Sequence, residues 1–221
     1  MTFPRLYSLQ VGMPQNQGDP QAPEQGDRRW FTGFFKEPVP GPVALGRLNL
    51  AGDGQADLKN HGGTDKAALA YSYDHYPYWQ ELLGGSVPVG GFGENFTVSG
   101  QTEDTVCLGD VYRIGTATVQ VSQPRQPCWK LSRRWRRETL VAEVLTTGQS
   151  GWYFRVLGEG IVEAGQDVVL LERPLPDWSV ARLHHLMHHD RTNKTDASIL
   201  AASPLLSQSW RQHLRKRLSS D

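Results

Sequence analysis

The chain has 221 residues, and its 23 Lys and Arg balance 23 Asp and Glu, so the formal net charge is zero. That balance provides no global field for nucleic acid or an anionic membrane, and 2 cysteines, Cys107 and Cys128, argue for a reducing compartment over a disulfide scaffold. No apolar stretch is long enough to span a bilayer, and the N-terminus lacks the basic-then-apolar pattern of a secretory signal. The expectation is a cytoplasmic protein with neither a membrane nor a nucleic-acid partner.

Residues 14 to 29, rich in Pro, Gln, Gly and Asp, read as an exposed loop. The apolar runs Trp30 to Lys36 and Val43 to Leu50 predict short strands broken by Pro and Gly, with Lys36 closing the first of them. In Lys59-Asn60-His61-Gly62-Gly63, the glycine pair allows close approach of another group and lets His61 point into a cleft. Ala67 to Tyr71 predicts a buried strand. Ser72 then caps a helix reaching Leu83, stopped by Gly84-Gly85, and Tyr73, Tyr76 and Trp79 fall at core-packing spacing.

Gly90-Gly91-Phe92-Gly93-Glu94-Asn95-Phe96 is not a dinucleotide fingerprint, because its spacing differs and strand, not helix, follows. Its successive N–H groups could form an anion-binding nest, with Asn95 adding a side-chain amide. Val106 to Tyr112 and Ala117 to Ser122 predict neighbouring strands, the first carrying Cys107 as a structural thiol. Trp152 to Val156 and Asp167 to Leu171 predict two more.

The most informative stretch runs from Val119 to Leu131. Alternation over Ala117 to Ser122 has the period of a half-buried strand. Pro124 and Pro127 then stiffen the segment Gln123 to Pro127. Cys128 follows at once and is placed in the first turn of a helix whose Leu131 and Trp135 lie one turn apart, with Pro127 at its first position. Arg125, Lys130 and the helix dipole would favour a thiolate there, giving a soft anionic sulfur ligand on a rigid support. The bland alternative, a small buried hydrophobe, requires neither bracketing prolines nor flanking cations.

From Arg173-Pro174 the texture becomes helical. Asp177, Thr195 and Ser207 predict the caps of three helices, the last with a Trp210, Leu214, Leu218 stripe. The histidines His184, His185, His188 and His189 lack an HExxH glutamate and a third ligand nearby, so they read as surface residues. Arg133, Arg134, Arg136 and Arg137 read as a solvated helix face. The expected architecture is α+β: a β-rich, barrel-like domain over residues 1–173, followed by a small three-helix domain over residues 174–221.

Lys59 to Tyr71, Gly91 to Phe96 and Gly109 to Leu131, with the core Gln123-Pro124-Arg125-Gln126-Pro127-Cys128, occur here in a fixed order. Together they resemble the MOSC family, the molybdenum-cofactor sulfurase C-terminal domain, and most closely its YiiM-like branch. The resemblance implies binding of the molybdenum cofactor, a pterin dithiolene carrying a phosphate. It maps the metal-ligating cysteine onto Cys128 and places Lys36, His61, Asn95 and Arg125 along the cofactor cleft, with His61 nearest the substrate beside the catalytic Cys128. Asn95 and the Gly91 to Glu94 backbone would donate to pterin or phosphate.

The activity it implies is an oxidoreductase that reduces small N-hydroxylated compounds, such as 6-N-hydroxylaminopurine, to amines. Electrons would come from a separate reductase, because the chain carries no flavin, haem or iron–sulfur motif. A homodimer is plausible on the same ground. The alternative is a non-catalytic carrier that holds cofactor, or sulfur as a persulfide, on Cys128.

Overall fold

The computed structural model describes residues 4–219. The chain is α+β, with a large curled sheet followed by a helical segment. Its strands are β1 (Arg5–Val11), β2 (Gln15–Gln17), β3 (Trp30–Thr32), β4 (Glu37–Pro38), β5 (Val43–Leu45), β6 (Ala68–Ser72), β7 (Phe96–Ser99), β8 (Val111–Ile114), β9 (Ala117–Pro124), β10 (Trp152–Gly158), β11 (Gly160–Val162) and β12 (Val168–Glu172). The helices are α1 (Leu58–His61), α2 (Tyr76–Leu83), α3 (Trp129–Arg134), α4 (Leu140–Thr147), α5 (Val180–His188), α6 (Lys194–Ala202) and α7 (Gln208–Ser219).

The main sheet has 8 strands in the order β12-β8-β9-β10-β6-β7-β1-β4. β6 and β7 run parallel and the other neighbouring pairs antiparallel. Its curl brings β1 towards β12: Val168 N–H donates to Pro4 O at 2.9 Å and Leu6 N–H to Gln166 O at 2.9 Å. Arg5 and Asp167 add an isolated bridge. This short seam, not a continuous ladder, joins the two sides, so the expected barrel-like form is a curled sheet without full closure.

The alternating residues of β9 explain its central place. Val119 and Val121 turn into the interior with Leu6, Phe96, Ile114, Phe154 and Val168, forming the sheet's own core. A second core lies outside it, where Tyr71, Tyr76, Trp79, Phe92, Leu131, Leu140 and Val144 pack α2, α3 and α4 together. Fully burying Leu131 alone contributes about 1.5–3 kcal/mol and fixes the short helix that follows Cys128.

Several local expectations are corrected. Residues 14–29 include β2, which pairs with β3 as a small hairpin, and β3 stops at Thr32 instead of reaching Lys36. The Val43 to Leu50 run is strand only to Leu45, after which Leu50 returns as an isolated bridge to it. The strand expected over Val106 to Tyr112 begins only at Val111, so Cys107 lies before β8, in an isolated bridge to Ser179 where Asp110 accepts its backbone N–H at 2.9 Å. α4 was not expected: Val141, Val144, Thr146 and Thr147 are poor helix formers, but Leu140 and Val144 are fully buried in the second core. Arg133 is not simply solvated, because its guanidinium lies 5.0 Å from the Trp30 ring and 5.7 Å from the Trp129 ring. Arg137 pairs with Glu143.

The helical segment has its own core of Trp178, Leu183, Leu186, Leu200, Leu206, Trp210 and Leu214, joined by Leu108 from the sheet domain. Ser179 and Asn193, not Asp177 and Thr195, accept the first-turn N–H groups of α5 and α6, while Ser207 accepts from Trp210 as expected. His184 is buried, not a surface residue. Its Nε2 and that of His189 each lie 2.9 Å from the Leu145 carbonyl at the end of α4. A carbonyl only accepts, so both imidazoles carry hydrogen on Nε2.

Because the cores are largely separate, a chain ending at Arg173 is expected to unfold cooperatively in urea. Its stability should fall by at least the about 1.5–3 kcal/mol of re-exposing Leu108. Aggregation of this fragment, or a broad non-cooperative transition, would show that the helices belong to the main core.

Candidate functional site

The extended end of β9 carries the chain through Gln123, Pro124 and Arg125, all buried. Arg125 N–H donates to Gly151 O at 2.8 Å, which ties this stiff segment to the turn before β10. Cys128 then sits at the N-cap of α3 with extended backbone, φ −119° and ψ 164°, and not within the first turn as expected. Pro127 thus precedes the cap. Since α3 spans only 6 residues, its macrodipole adds less than a long helix would. Arg125 and Lys130 line the same cavity as the sulfur.

Cys128, Lys36, His61, Asn95 and Arg125 all line one cavity of about 70 Å³, together with Phe34, Lys66, Phe92, Lys130 and Tyr153. They come from five separate places in the chain. Their chemical states differ. Arg125 is 4 % exposed; its Nη2 donates to Phe92 O at 3.0 Å, while its Nη1 is buried without a hydrogen-bond partner. Leaving such a donor unsatisfied is costly, and because Arg125 lines the cavity, an acceptor entering it could take this hydrogen.

His61 is pushed down to about 4 by burial and by the nearby Arg125 and Lys130 charges. It therefore stands neutral at physiological pH, able to donate from one nitrogen and accept at the other. Lys36 is also lowered, chiefly by burial, although Asp53 opposes the shift. Tyr153 is pushed up to about 12 by burial, which keeps its phenol protonated.

Asp53 went unnoticed in the sequence, where Gly52-Asp53-Gly54 looks like an ordinary turn. Its buried carboxylate pairs with Lys36 Nζ and accepts Gly12 N–H at 3.0 Å and Asn95 Nδ2 at 3.0 Å. Asn95 is equally committed. Its Nδ2 also faces Gln10 O at 3.3 Å, and its Oδ1 accepts Leu69 N–H at 3.1 Å. The amide expected to reach a ligand thus braces the cavity wall.

The Gly90–Asn95 turn is likewise consumed internally. Glu94 accepts Gly90 N–H at 2.8 Å and Phe92 N–H at 3.0 Å, and also receives Tyr76 Oη and Thr97 Oγ1. Gly91 and Gly93 N–H groups go to Pro88 and Gly90 carbonyls. The expected anion nest is therefore absent from these N–H groups. Positive φ at Gly93 (78°) instead lets the Phe34 ring lie against the turn, where an added Cβ would meet it at 3.1 Å.

Lys66 and Tyr153 were also missed. Lys66 Nζ donates to Asn60 O at 2.6 Å and lies 5.9 Å from the Tyr153 ring centroid. The signals were weak, since an isolated lysine and a strand tyrosine are common anywhere. Among the described residues no group of 3 or more His, Cys, Asp or Glu side chains is assembled as for a metal ion. Cys128 is the soft donor of the cleft.

The chain thus combines a curled β-rich domain with a helical appendage and gathers one cysteine and several cations on the wall of a single cavity. None of the helices among the described residues is long and apolar enough to cross a membrane. Residues 57–169 match the MOSC domain and residues 178–221 match the YiiM-like, 3-alpha helix domain.

The chain belongs to the MOSC-domain family and, within it, to the YiiM-like group. It is 45% identical over 202 residues to protein YflK of Bacillus subtilis (strain 168), covering 91% of each chain. The crystal structure of YiiM from Geobacillus stearothermophilus superposes with a TM-score of 0.82 at 41% identity, covering 98% of this chain and 100% of that one. A Gibberella moniliformis (strain M3125 / FGSC 7600) protein named "Reductase" is 34% identical over 178 residues, which are 77% of this chain and 30% of that longer protein.

Proposed function

We propose that the chain binds the molybdenum cofactor in this cleft and reduces small N-hydroxylated compounds to amines. The observation that carries the reading is the buried, unpartnered Arg125 Nη1 in the same cavity as Cys128. An anionic, sulfur-rich group fits such surroundings: a soft thiolate suits a metal held by other sulfurs, and guanidinium and ammonium groups suit phosphate and oxo acceptors. Cys128 would ligate the metal. Arg125 would supply positive charge to the bound anion, and Lys36, which lines the same cavity and is paired with Asp53, would add to it.

When bound, the cofactor supplies the two-electron oxygen-atom chemistry that no side chain offers. The balanced reaction converts R–NH–OH, two electrons and two protons to R–NH2 and water. The protein's share is positioning, exclusion of water and delivery of protons. Neutral His61 is suited to accept from or donate to the N–OH group. Tyr153 remains a proton-bearing donor on the same wall.

Electrons would come from a separate reductase protein. The fungal relative named reductase supports the redox reading itself.

Protein purified from a cofactor-competent host and supplied with an artificial electron donor should consume 6-N-hydroxylaminopurine. Retention of cofactor without any reduction, together with its transfer to an apo-enzyme, would instead make the chain a carrier. Arg125→Ala is expected to weaken cofactor retention by roughly 10-fold or more, the scale of a charged hydrogen bond. This is measurable as molybdenum remaining after gel filtration, and unchanged retention would remove Arg125 from the site.

A further inference from the structure

The cleft does not end at Cys128. His61, Lys66, Cys128 and Tyr153 also line a second, outer space of about 480 Å³, whose far wall is built by the helical segment. That wall presents Met187 and His188 of α5, Arg191 after it, and Trp210 and His213 of α7. The volume falls in the range of about 300–1,000 Å³ typical of small-molecule pockets.

The chemistry of this vestibule is lopsided. Lys59, Lys66 and Arg191 face it with one carboxylate, Asp57. Asp57 is already engaged, accepting Asn60 N–H at 3.1 Å and Asn60 Nδ2 at 2.8 Å as the cap of α1. Among the described residues neither Lys59 nor Arg191 has an ion-pair partner. His188 adds a buried Nε2 without a hydrogen-bond partner. Of the rings that border it, Tyr153 and Trp210 are buried and show only an edge, whereas Trp129 is exposed and is the ring on which a heteroaromatic base could stack. Two unpaired cations beside an exposed aromatic ring, with an unpartnered imidazole nitrogen behind them, suit a ligand with both a flat ring and a phosphate.

We propose that the outer vestibule holds the phosphate of a phosphorylated substrate, so that the preferred N-hydroxylated compound is a nucleotide and not a free base. The assignment of substrate rests on the reduction proposed above; the phosphate site itself does not. The base would lie towards Cys128 and the phosphate against Lys59, Arg191 and His188. The helical segment would then be the substrate-selecting half of the protein.

The same phosphate chemistry could be met by the cofactor's own phosphate, and calorimetry separates the two sources. Cofactor-loaded full-length protein is titrated with adenosine 5′-monophosphate, as product analogue, and with adenine. The nucleotide is expected to bind roughly 10-fold or more tightly than the base, with inorganic phosphate competing. In the variant Lys59→Ala/Arg191→Ala, both positions being exposed, that advantage should fall below about 2-fold.

Equal binding of base and nucleotide by the loaded protein would overturn the proposal. So would a nucleotide advantage seen only in cofactor-free protein, since the site would then belong to the cofactor. Turnover of 6-N-hydroxylaminopurine and its ribonucleoside 5′-monophosphate separates the two hypotheses. Reduction of both without preference sinks the phosphate site alone, whereas intact nucleotide binding without reduction of either sinks the reductase reading alone.

Discussion

Cys128→Ser is expected to abolish metal retention and N-hydroxyl reduction while leaving the fold intact. Cys128 is only half-buried and occupies the N-cap of α3 without a side-chain capping bond. Serine is among the best N-cap residues, so the substitution should cost α3 nothing and could add a bond. What it removes is the soft donor, and a hard hydroxyl does not replace a thiolate on a sulfur-bound metal. The expected loss of activity exceeds about 100-fold, beyond the scale of losing an outer partner of a metal ligand. Cys107→Ser is the control, because its Sγ donates to Pro176 O at 3.4 Å and it lines neither the cavity nor the outer space beside Cys128. Metal analysis of both purified variants decides the matter, and equal occupancy would reverse the assignment.

Asp53→Ala should be the most destabilising single change at the site, by about 3–5 kcal/mol, as expected when one partner of a buried ion pair is removed. The side chains of Lys36 and Asp53 are 6% and 0% exposed, so the stranded ammonium has little access to solvent. Gly12 N–H and Asn95 Nδ2 lose their acceptor at the same time. Replacing both members, as Lys36→Met/Asp53→Leu, should destabilise much less, because no charge is left unpaired. Urea unfolding of the single and double variants tests this. A double variant as unstable as Asp53→Ala would place the cost in packing instead of charge.

The features visible in the sequence are those set by short-range chemistry. The alternation of β9, the proline-bracketed entry to Cys128, and the end of α2 at Gly84 (φ 71°) each depend on neighbouring residues. The position of Cys128 was misjudged by one cap, because proline at the preceding position fixes its own φ without forcing the next residue into helix. What sequence could not show was pairing across the fold. Asp53 meets Lys36 only because the first strands fold back on one another, and Glu94 spends the glycine turn's N–H groups on itself. The hairpin β2–β3 was hidden because its residues have one-sided or no burial, and α4 because tertiary packing overrides weak helix propensity there.

The carbonyl of Leu145 has a mechanical consequence. Two histidines of the C-terminal segment fasten to that single oxygen, and the helix that carries it shares a core with Leu131, three residues beyond the thiol. The vestibule's far wall and the sulfur are thus bolted to the same short rod. A substitution at His184 should therefore disturb the gap between them from more than a turn of helix away, detectable as altered alkylation rates at Cys128 although no residue lining the cleft has been replaced.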